Sequence, residues 1–373
     1  MSAQLTDTDR PFLKRALELA EGGRGRVSPN PLVGAVLARD GELIGEGFHA
    51  ELGAQHAERA ALEDCRRRGE DPTGATMYVT LEPCAHEGRQ PPCTEAILEA
   101  MIGRVVIGSD DPSEKAAGRG PGILRDGGVE VAFATGDEAT AARLLNQPFR
   151  KHARTGMPLV TLKLAMSLDG CTEASGDSPW ISGERSRSLV HRWRADSDAI
   201  AVGIGTVLAD DPLLTARHPD ARRQPLRVVF DSHARLPLHS RLLRTLDQAP
   251  LLVVASEEAD PARVKALRGA GAEVMIASGS TPADRIRASL SSLGRRQILS
   301  LFLEGGRTLA ASFIAAEEID EMRTFVAPIL LGRSKHDPEA TAGAIGGTRL
   351  RALQSSVEVV GEDVLVTARF REW

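Results

Sequence analysis

The chain has 373 residues, of which 42% are hydrophobic, 26% charged and 3% aromatic, with a formal net charge of −5. That length favours two domains over one, and the scarcity of aromatics leaves the cores to Leu, Val, Ile and Ala. The net charge argues against a nucleic-acid-binding surface. The polar start (Ser2, Gln4, Thr6, Asp7, Asp9) and the absence of a long apolar run argue against a secretory signal or a membrane span, so a cytoplasmic chain is expected. Four cysteines in such a chain suggest metal or redox chemistry more than disulfides.

In chain order, Phe12, Leu13, Ala16, Leu17 and Ala20 recur at helical spacing, so a helix is predicted over 8–20, with Pro11 in its first turn. Ser28-Pro29-Asn30-Pro31 is too rich in proline for a helix or a central strand and reads as a loop. Within it Asn30 is either plain loop or a rigid polar finger for a ligand. Strands are predicted over 32–38 and 42–48, joined by a turn at Asp40-Gly41. A helix over 56–67 would hold His56 and Glu58 in its first turn. A short strand over 77–81 runs to Cys84, and Pro91-Pro92 opens a helix over 93–101. That start places Cys93 at a helix N-terminus, which favours thiolate over thiol.

A lone His at a helix start is more often a cap than a ligand, but Cys84 and Cys93 change the weighting. One His and two Cys close three corners of a zinc tetrahedron and leave the fourth to water, the arrangement of a catalytic zinc. Glu58 is placed to move protons to and from that water without binding the metal. His-x-Glu followed by Pro-Cys and a second Cys is the zinc deaminase signature. The usual gap between the Cys residues is two; here Ala85 to Pro92 separate them. Cys65 lies outside the pattern. Strands over 105–108 and 129–132 then alternate with helices over 118–125 and 138–145, which implies a three-layer α/β/α domain.

Residues 148–158 are basic and poorly patterned and read as the junction, giving domains 1–148 and 149–373. Beyond it, strands are predicted over 159–165, 198–202, 226–230, 251–255, 272–276 and 298–303, with a helix over 184–194. The last strand runs into Glu304-Gly305-Gly306 and a helix to about 315. Paired glycines between a strand and a helix N-terminus let backbone N–H groups face an anion. Taken alone they are weak evidence. With no G-x-G-x-x-G after a first strand, a Rossmann site is not supported.

Pro29-Asn30-Pro31-Leu32-Val33-Gly34, His56-Ala57-Glu58, Thr80-Leu81-Glu82-Pro83-Cys84-Ala85-His86 and Pro91-Pro92-Cys93 together resemble the bacterial bifunctional riboflavin-biosynthesis deaminase/reductase family. Lys163, Ser167-Leu168-Asp169-Gly170, Trp180-Ile181, Thr206, Ala209-Asp210-Asp211-Pro212 and Glu304-Gly305-Gly306 resemble its second half. Gln90, Ser113-Glu114 and Cys171 depart from the usual family residues. The resemblance implies a cytidine-deaminase-like domain followed by a dihydrofolate-reductase-like α/β domain, with zinc and NADPH as cofactors. It implies a pyrimidine ribotide substrate that is deaminated, then reduced at its ribose, with Glu58, Lys163 and Glu304 as the catalytic candidates. Asn30, His86 and Arg89 would line the pyrimidine and phosphoribosyl site. Ala165, Trp180, Thr206, Asp210 and Ser232 would touch NADPH, and Gly306, Arg307, Thr308, Leu309, Ala310, Ala311 and Ser312 would cradle its phosphates. Asp210 could equally be a structural cap. Ser178, Arg194, Leu214, Arg217 and Glu304 would hold the phosphoribosyl substrate of the reductase. A homodimer or tetramer is implied too. Cytidine, guanine and tRNA deaminases share the zinc set, but the long Cys loop, the second domain and the negative charge weigh against them.

Overall fold

The computed structural model describes residues 6–85, 90–114, 116–172, 180–332 and 350–373. The chain forms two compact units, one reaching to Gly156 and including Trp373, the other Met157–Glu372.

In the first unit, β1 (Gly34–Arg39) and β2 (Glu42–Phe48) form the expected hairpin around Asp40-Gly41. Both turn residues have positive φ (53° and 83°), which glycine and aspartate tolerate best. With β3 (Thr76–Val79), β4 (Arg104–Ile107) and β5 (Glu130–Phe133) they make a five-stranded sheet of order β2-β1-β3-β4-β5. Strand alternation divides the apolar residues between two faces. Val36, Ala38, Tyr78, Val106 and Ala132 pack with α1 (Arg10–Ala20) and α5 (Gly136–Leu145). Leu37, Met77, Val79, Val105 and Ile107 pack with α2 (Ala57–Arg67), α3 (Cys93–Glu99) and α4 (Arg119–Asp126). The three layers follow.

The contact between α2 and β2 is made at backbone distance. A Cβ on Gly45 would stand 2.6 Å from the Ala61 carbonyl oxygen, and one on Gly47 would stand 2.5 Å from the Ala61 nitrogen. Two glycines on one strand and Ala60-Ala61 on the helix therefore press α2 flat against the sheet, which sets the depth of its N-terminus.

The first unit reaches Gly156, within the basic stretch 148–158. Gln147–Thr155 forms a helix, α6, with Pro148 in its first turn. Its buried residues include Arg150 and Lys151 rather than an apolar stripe. Arg150 donates to the Asp110 carbonyl oxygen (2.7 Å) and to its carboxylate (3.0 Å). A helix whose buried positions carry Gln, Arg and Lys offers no apolar stripe to reveal it.

The second unit is built on a nine-stranded sheet of order β10-β9-β8-β7-β11-β6-β12-β14-β13. Its strands are β6 (Leu159–Ser167), β7 (Ala199–Gly203), β8 (Leu226–Phe230), β9 (Leu251–Ser256), β10 (Glu273–Ala277), β11 (Ser300–Leu303), β12 (Glu321–Ala327), β13 (Gln354–Val360) and β14 (Asp363–Arg369). Pairing is parallel from β10 to β12, and β14 and β13 add antiparallel. One face packs against α11 (Pro282–Arg295) and α12 (Arg307–Ala315). The other packs against α8 (Ile204–Asp210), α9 (Arg241–Arg244) and α10 (Pro261–Gly269) around β7 to β10. Farther along, Val190 and Trp193 of α7 (Glu184–Asp196) meet Phe302, Phe325 and Leu365. Among the described residues, no helix is long and apolar enough to cross a membrane.

Candidate functional site

His56 is the residue before α2, with extended backbone (φ −70°, ψ 157°), and Glu58 is the second residue inside that helix. Cys93 opens α3, because Pro91-Pro92 cannot sit inside a helix. Cys84 follows the end of β3. His56 Nδ1 lies 3.3 Å from Cys93 Sγ and 3.5 Å from Cys84 Sγ, and the Cys93 backbone N–H donates to Cys84 Sγ (3.3 Å). The three ligand atoms all lie within 4.8 Å of one another. Tetrahedral zinc with Zn–N of about 2.0 Å and Zn–S of about 2.3 Å needs ligand separations of roughly 3.5–3.8 Å. The donor set therefore fits zinc in both chemistry and spacing.

The charges agree with that fit. Two thiols this close share a proton. The hydrogen bond from Cys93 draws the Cys84 thiol down to about 4, with His56 assisting against burial. Cys93 is pushed up in turn by Cys84 and by burial. Cys84 is thus the more readily ionised thiol of the pair, and a zinc ion held by the two sulfurs would draw on both as thiolates. The Cys84 hydrogen bond raises His56. Glu58 is 3% exposed, and burial followed by the Cys84 charge pushes its carboxyl up. A carboxyl held above its ordinary range parts less readily with a proton once it has taken one, which suits a group that carries protons. Asn30 Nδ2 lies 3.0 Å from Nε2 of His49, whose ring packs edge-on against His56 with centroids 5.5 Å apart. His86 and Arg89 lie outside the described residues.

A second cluster lies at the end of β11. Glu304 receives both arms of Arg194: Nε to Oε1 at 2.6 Å and Nη2 to Oε2 at 2.9 Å. Both side chains are largely buried, 10% and 13% exposed. Burial pushes Glu304 up, but the Arg194 charge and hydrogen bonds, with Lys163, hold it below the usual range. Burial lowers Lys163, and Glu304 opposes that. Arg194 also donates to the Thr215 carbonyl oxygen (3.2 Å), which ties in the segment that carries Leu214 and Arg217. Leu214 is buried at φ 53°, a left-handed conformation that a leucine rarely adopts. Arg217 Nη2 donates to Nε2 of His191 (2.9 Å). Burial, then Arg194 and Arg217, lower His191 to about 4, so it stands neutral among the cations.

Gly306 precedes α12, and a Cβ on it would lie 3.5 Å from Thr206 Oγ1 in the first turn of α8. Thr206 and the Gly306-Arg307-Thr308 turn therefore face one another. Leu309 also touches this junction, lying 3.5 Å from where a Gly203 Cβ would be. Within the cradle expected over 306–312, the backbone N–H groups not yet used inside the helix lie at its start. The Ala310 N–H is already bonded to the Gly306 carbonyl oxygen and Ala310 is buried in the core, while Ala311 and Ser312 lie in the helix interior. Trp180 is 59% exposed, with the Arg187 guanidinium 5.3 Å over its ring. Ala165 packs toward α7. Ser232 is exposed after β8, where its carbonyl oxygen accepts from Ser256. Asp210 is exposed at the end of α8 and makes no capping bond there. The cap is its neighbour, since Asp211 Oδ1 accepts from the Arg241 N–H at the start of α9 (2.8 Å). Ser178 lies outside the described residues. His49 and His191 were not singled out from the sequence. Histidine spacing within a turn of Arg194 was the available signal for His191.

Comparison with known proteins bears on both clusters. Residues 6–109 match the cytidine and deoxycytidylate deaminase zinc-binding region, and residues 158–366 match the RibD C-terminal domain. The riboflavin biosynthesis protein RibD of Actinobacillus pleuropneumoniae is 39% identical over 369 residues, covering 97% of this chain and 95% of the relative. That of Escherichia coli is 41% identical over 342 residues, covering 87% and 89%. Among solved structures, a diaminohydroxyphosphoribosylaminopyrimidine deaminase/5-amino-6-(5-phosphoribosylamino)uracil reductase from Thermotoga maritima superposes with a TM-score of 0.83 at 35% identity, covering 98% of this chain and 99% of the other. Acinetobacter baumannii RibD gives 0.81 at 36%, with the same coverage.

Proposed function

The chain belongs to the RibD family of riboflavin biosynthesis proteins, and from that premise we propose the substrate, the order of steps and the residues that carry them. It is a bifunctional enzyme, a zinc-dependent deaminase joined to an NADPH-dependent reductase. The substrate of the first unit is 2,5-diamino-6-(5-phosphoribosylamino)pyrimidin-4(3H)-one. The observation that carries this reading is the convergence of His56, Cys84 and Cys93 beside the buried Glu58.

His56, Cys84 and Cys93 would hold zinc, which would supply Lewis-acid activation of a water molecule. Glu58 takes the proton released by the attacking water. It then returns protons to a ring nitrogen and to the leaving amine. The C2–N bond breaks, a C2=O bond replaces it, and ammonia leaves. The product is 5-amino-6-(5-phosphoribosylamino)uracil. Asn30, with His86 and Arg89, orients the ring and its phosphoribosyl group.

The second unit reduces C1′ of the ring-opened ribose to give the ribityl product, with bound NADPH as the group that would supply the hydride. Thr206 and the first turn of α12 receive the dinucleotide phosphates, and Ala165, Trp180, Asp210 and Ser232 complete its binding surface. Arg194 is bidentate to Glu304, so its role is to fix that carboxylate. Arg217 offers its fork to the substrate phosphate, alongside Leu214 and Ser178. Lys163, whose ammonium burial destabilises, gives up a proton readily and serves the sugar oxygen.

The protein works in the cytoplasm as a homodimer or tetramer. The supporting feature is β13, an edge strand whose Val357 and Val359 are 68% and 75% exposed. Exposed valines on the outermost strand among the described residues form a surface natural proteins normally cover. Light scattering on the purified protein tests the assembly.

The enzyme assay supplies the diaminopyrimidine ribotide to zinc-loaded protein with and without NADPH. Ammonia released without NADPH, followed by NADPH oxidation that depends on it, supports both halves. No ammonia from zinc-loaded protein overturns the assigned deamination.

A further inference from the structure

His49 follows β2 and is 3% exposed. Its Nδ1 lies 2.9 Å from the Gln55 carbonyl oxygen. A carbonyl only accepts, so Nδ1 carries the proton. Nε2 is then a bare lone pair, and it faces Asn30 Nδ2 at 3.0 Å. The amide therefore donates to the imidazole. Its Oδ1 is directed the other way, and no described residue donates to it. The Asn30 backbone is pinned as well, its N–H bonded to the Val27 carbonyl oxygen (2.9 Å) between two prolines. One imidazole edge separates this amide from the metal ligand His56.

We propose that His49 is a positioning residue that fixes Asn30 as a hydrogen-bond acceptor toward the pyrimidine, and that this polarity selects the ring to be deaminated. The inference rests on the deaminase reading above. In the 4(3H)-one ring, the carbon that loses its amine is flanked by a bare nitrogen and by N3–H. In cytosine, the carbon bearing the amine is flanked by a bare nitrogen and a C–H. An acceptor at Asn30 pairs with the N3–H donor of the first ring and meets no donor in the second. A site with a buried polar group rejects a ring that leaves the group unpaired. Without His49 the amide is free to turn, and the distinction fades.

The test uses the zinc-loaded full chain and three variants, with ammonia release from the ribotide as the readout. Zinc content and reduction of supplied uracil ribotide are the controls for folding. Asparagine to aspartate at position 30 leaves only acceptor oxygens. Asn30→Asp is expected to stay within about tenfold of the parent kcat/KM, and Asn30→Leu to lose about a hundredfold. His49→Phe, which removes the lone pair that holds the amide, loses about tenfold, chiefly in KM. Nitrogen-15 spectra, with the His49 signals found by their absence from the Phe variant, are expected to show the proton on Nδ1. Equal losses for Asn30→Asp and Asn30→Leu, or a His49 proton on Nε2, overturn the proposal. A parent protein that releases no ammonia overturns the deaminase reading instead, and the His49 tautomer is still read.

Discussion

The two units organise chemistry in opposite ways. In the first, His56, Cys84 and Cys93, which could hold a metal, and Glu58, the proposed proton carrier, lie between positions 56 and 93, on two helix starts and after one strand. In the second, Lys163, Arg194, Arg217 and Glu304 come from β6, α7, a loop and the end of β11. A metal centre demands particular side chains at short range. A surface for a dinucleotide and a sugar phosphate can draw instead on the ends of several parallel strands. The first site is a short-range cluster that a metal would tie together, and the second is held by a buried ion pair and by packing.

That contrast can be broken most sharply at Glu58. Glu58→Gln is expected to cut ammonia release by about a hundredfold to ten-thousandfold, while reduction of supplied 5-amino-6-(5-phosphoribosylamino)uracil continues at the parental rate. Chelation should reproduce this split, abolishing the first activity and leaving the second, with restoration by zinc alone. If reduction falls in parallel with zinc content, the two sites are not independent.

Breaking the second site should cost stability as well as activity. Arg194→Met strands the buried Glu304 carboxylate and is expected to destabilise the second unit by about 3–5 kcal/mol. Adding Glu304→Gln should recover part of that loss in denaturant unfolding without recovering turnover. The packing seam of the first unit responds less. Gly47→Ala puts a methyl 2.5 Å from the Ala61 nitrogen, and the overpacking is expected to cost about 1–3 kcal/mol. Thermal unfolding and zinc affinity together would show whether α2 shifts.

The smallest effect is pH dependence at His191. Its folded pKa of about 4 lies below its unfolded value of about 6.5. Its contribution to stability is present above about 6.5 and is lost as pH falls toward 4. His191→Phe should flatten that part of the stability profile of the second unit, and an unchanged slope would mean that other groups set it.

The same contrast explains what could be read from the residues alone. The clustering of His56, Cys84 and Cys93 was legible because only a few residue types bind zinc, even though the gap between the two Cys is unusually long. The strand order of neither sheet could be read, but the alternation of elements already implied layered α/β units. Helix α6 was missed because Arg150 holds it through Asp110 and not through an apolar face. Helix α11 did carry a local sign, since Thr281 and Asp284 cap its start reciprocally. Which N–H groups of 306–312 stay open to a phosphate could not be read, because the sequence does not show which of them a helix has already used. The left-handed backbone at Leu214 left no mark, because leucine is not a residue that announces it.

The seam between Gly45, Gly47 and Ala60-Ala61 carries an evolutionary consequence. Most core contacts can drift, because a larger residue on one side can be matched by a smaller one opposite. Here the opposing atoms are peptide groups, which no substitution trims. The alphabet at those two strand positions is effectively a single letter, whatever happens elsewhere in the unit. Lineages that change substrate can therefore rebuild loops around the metal freely, while the helix that presents His56 and Glu58 keeps the same seat.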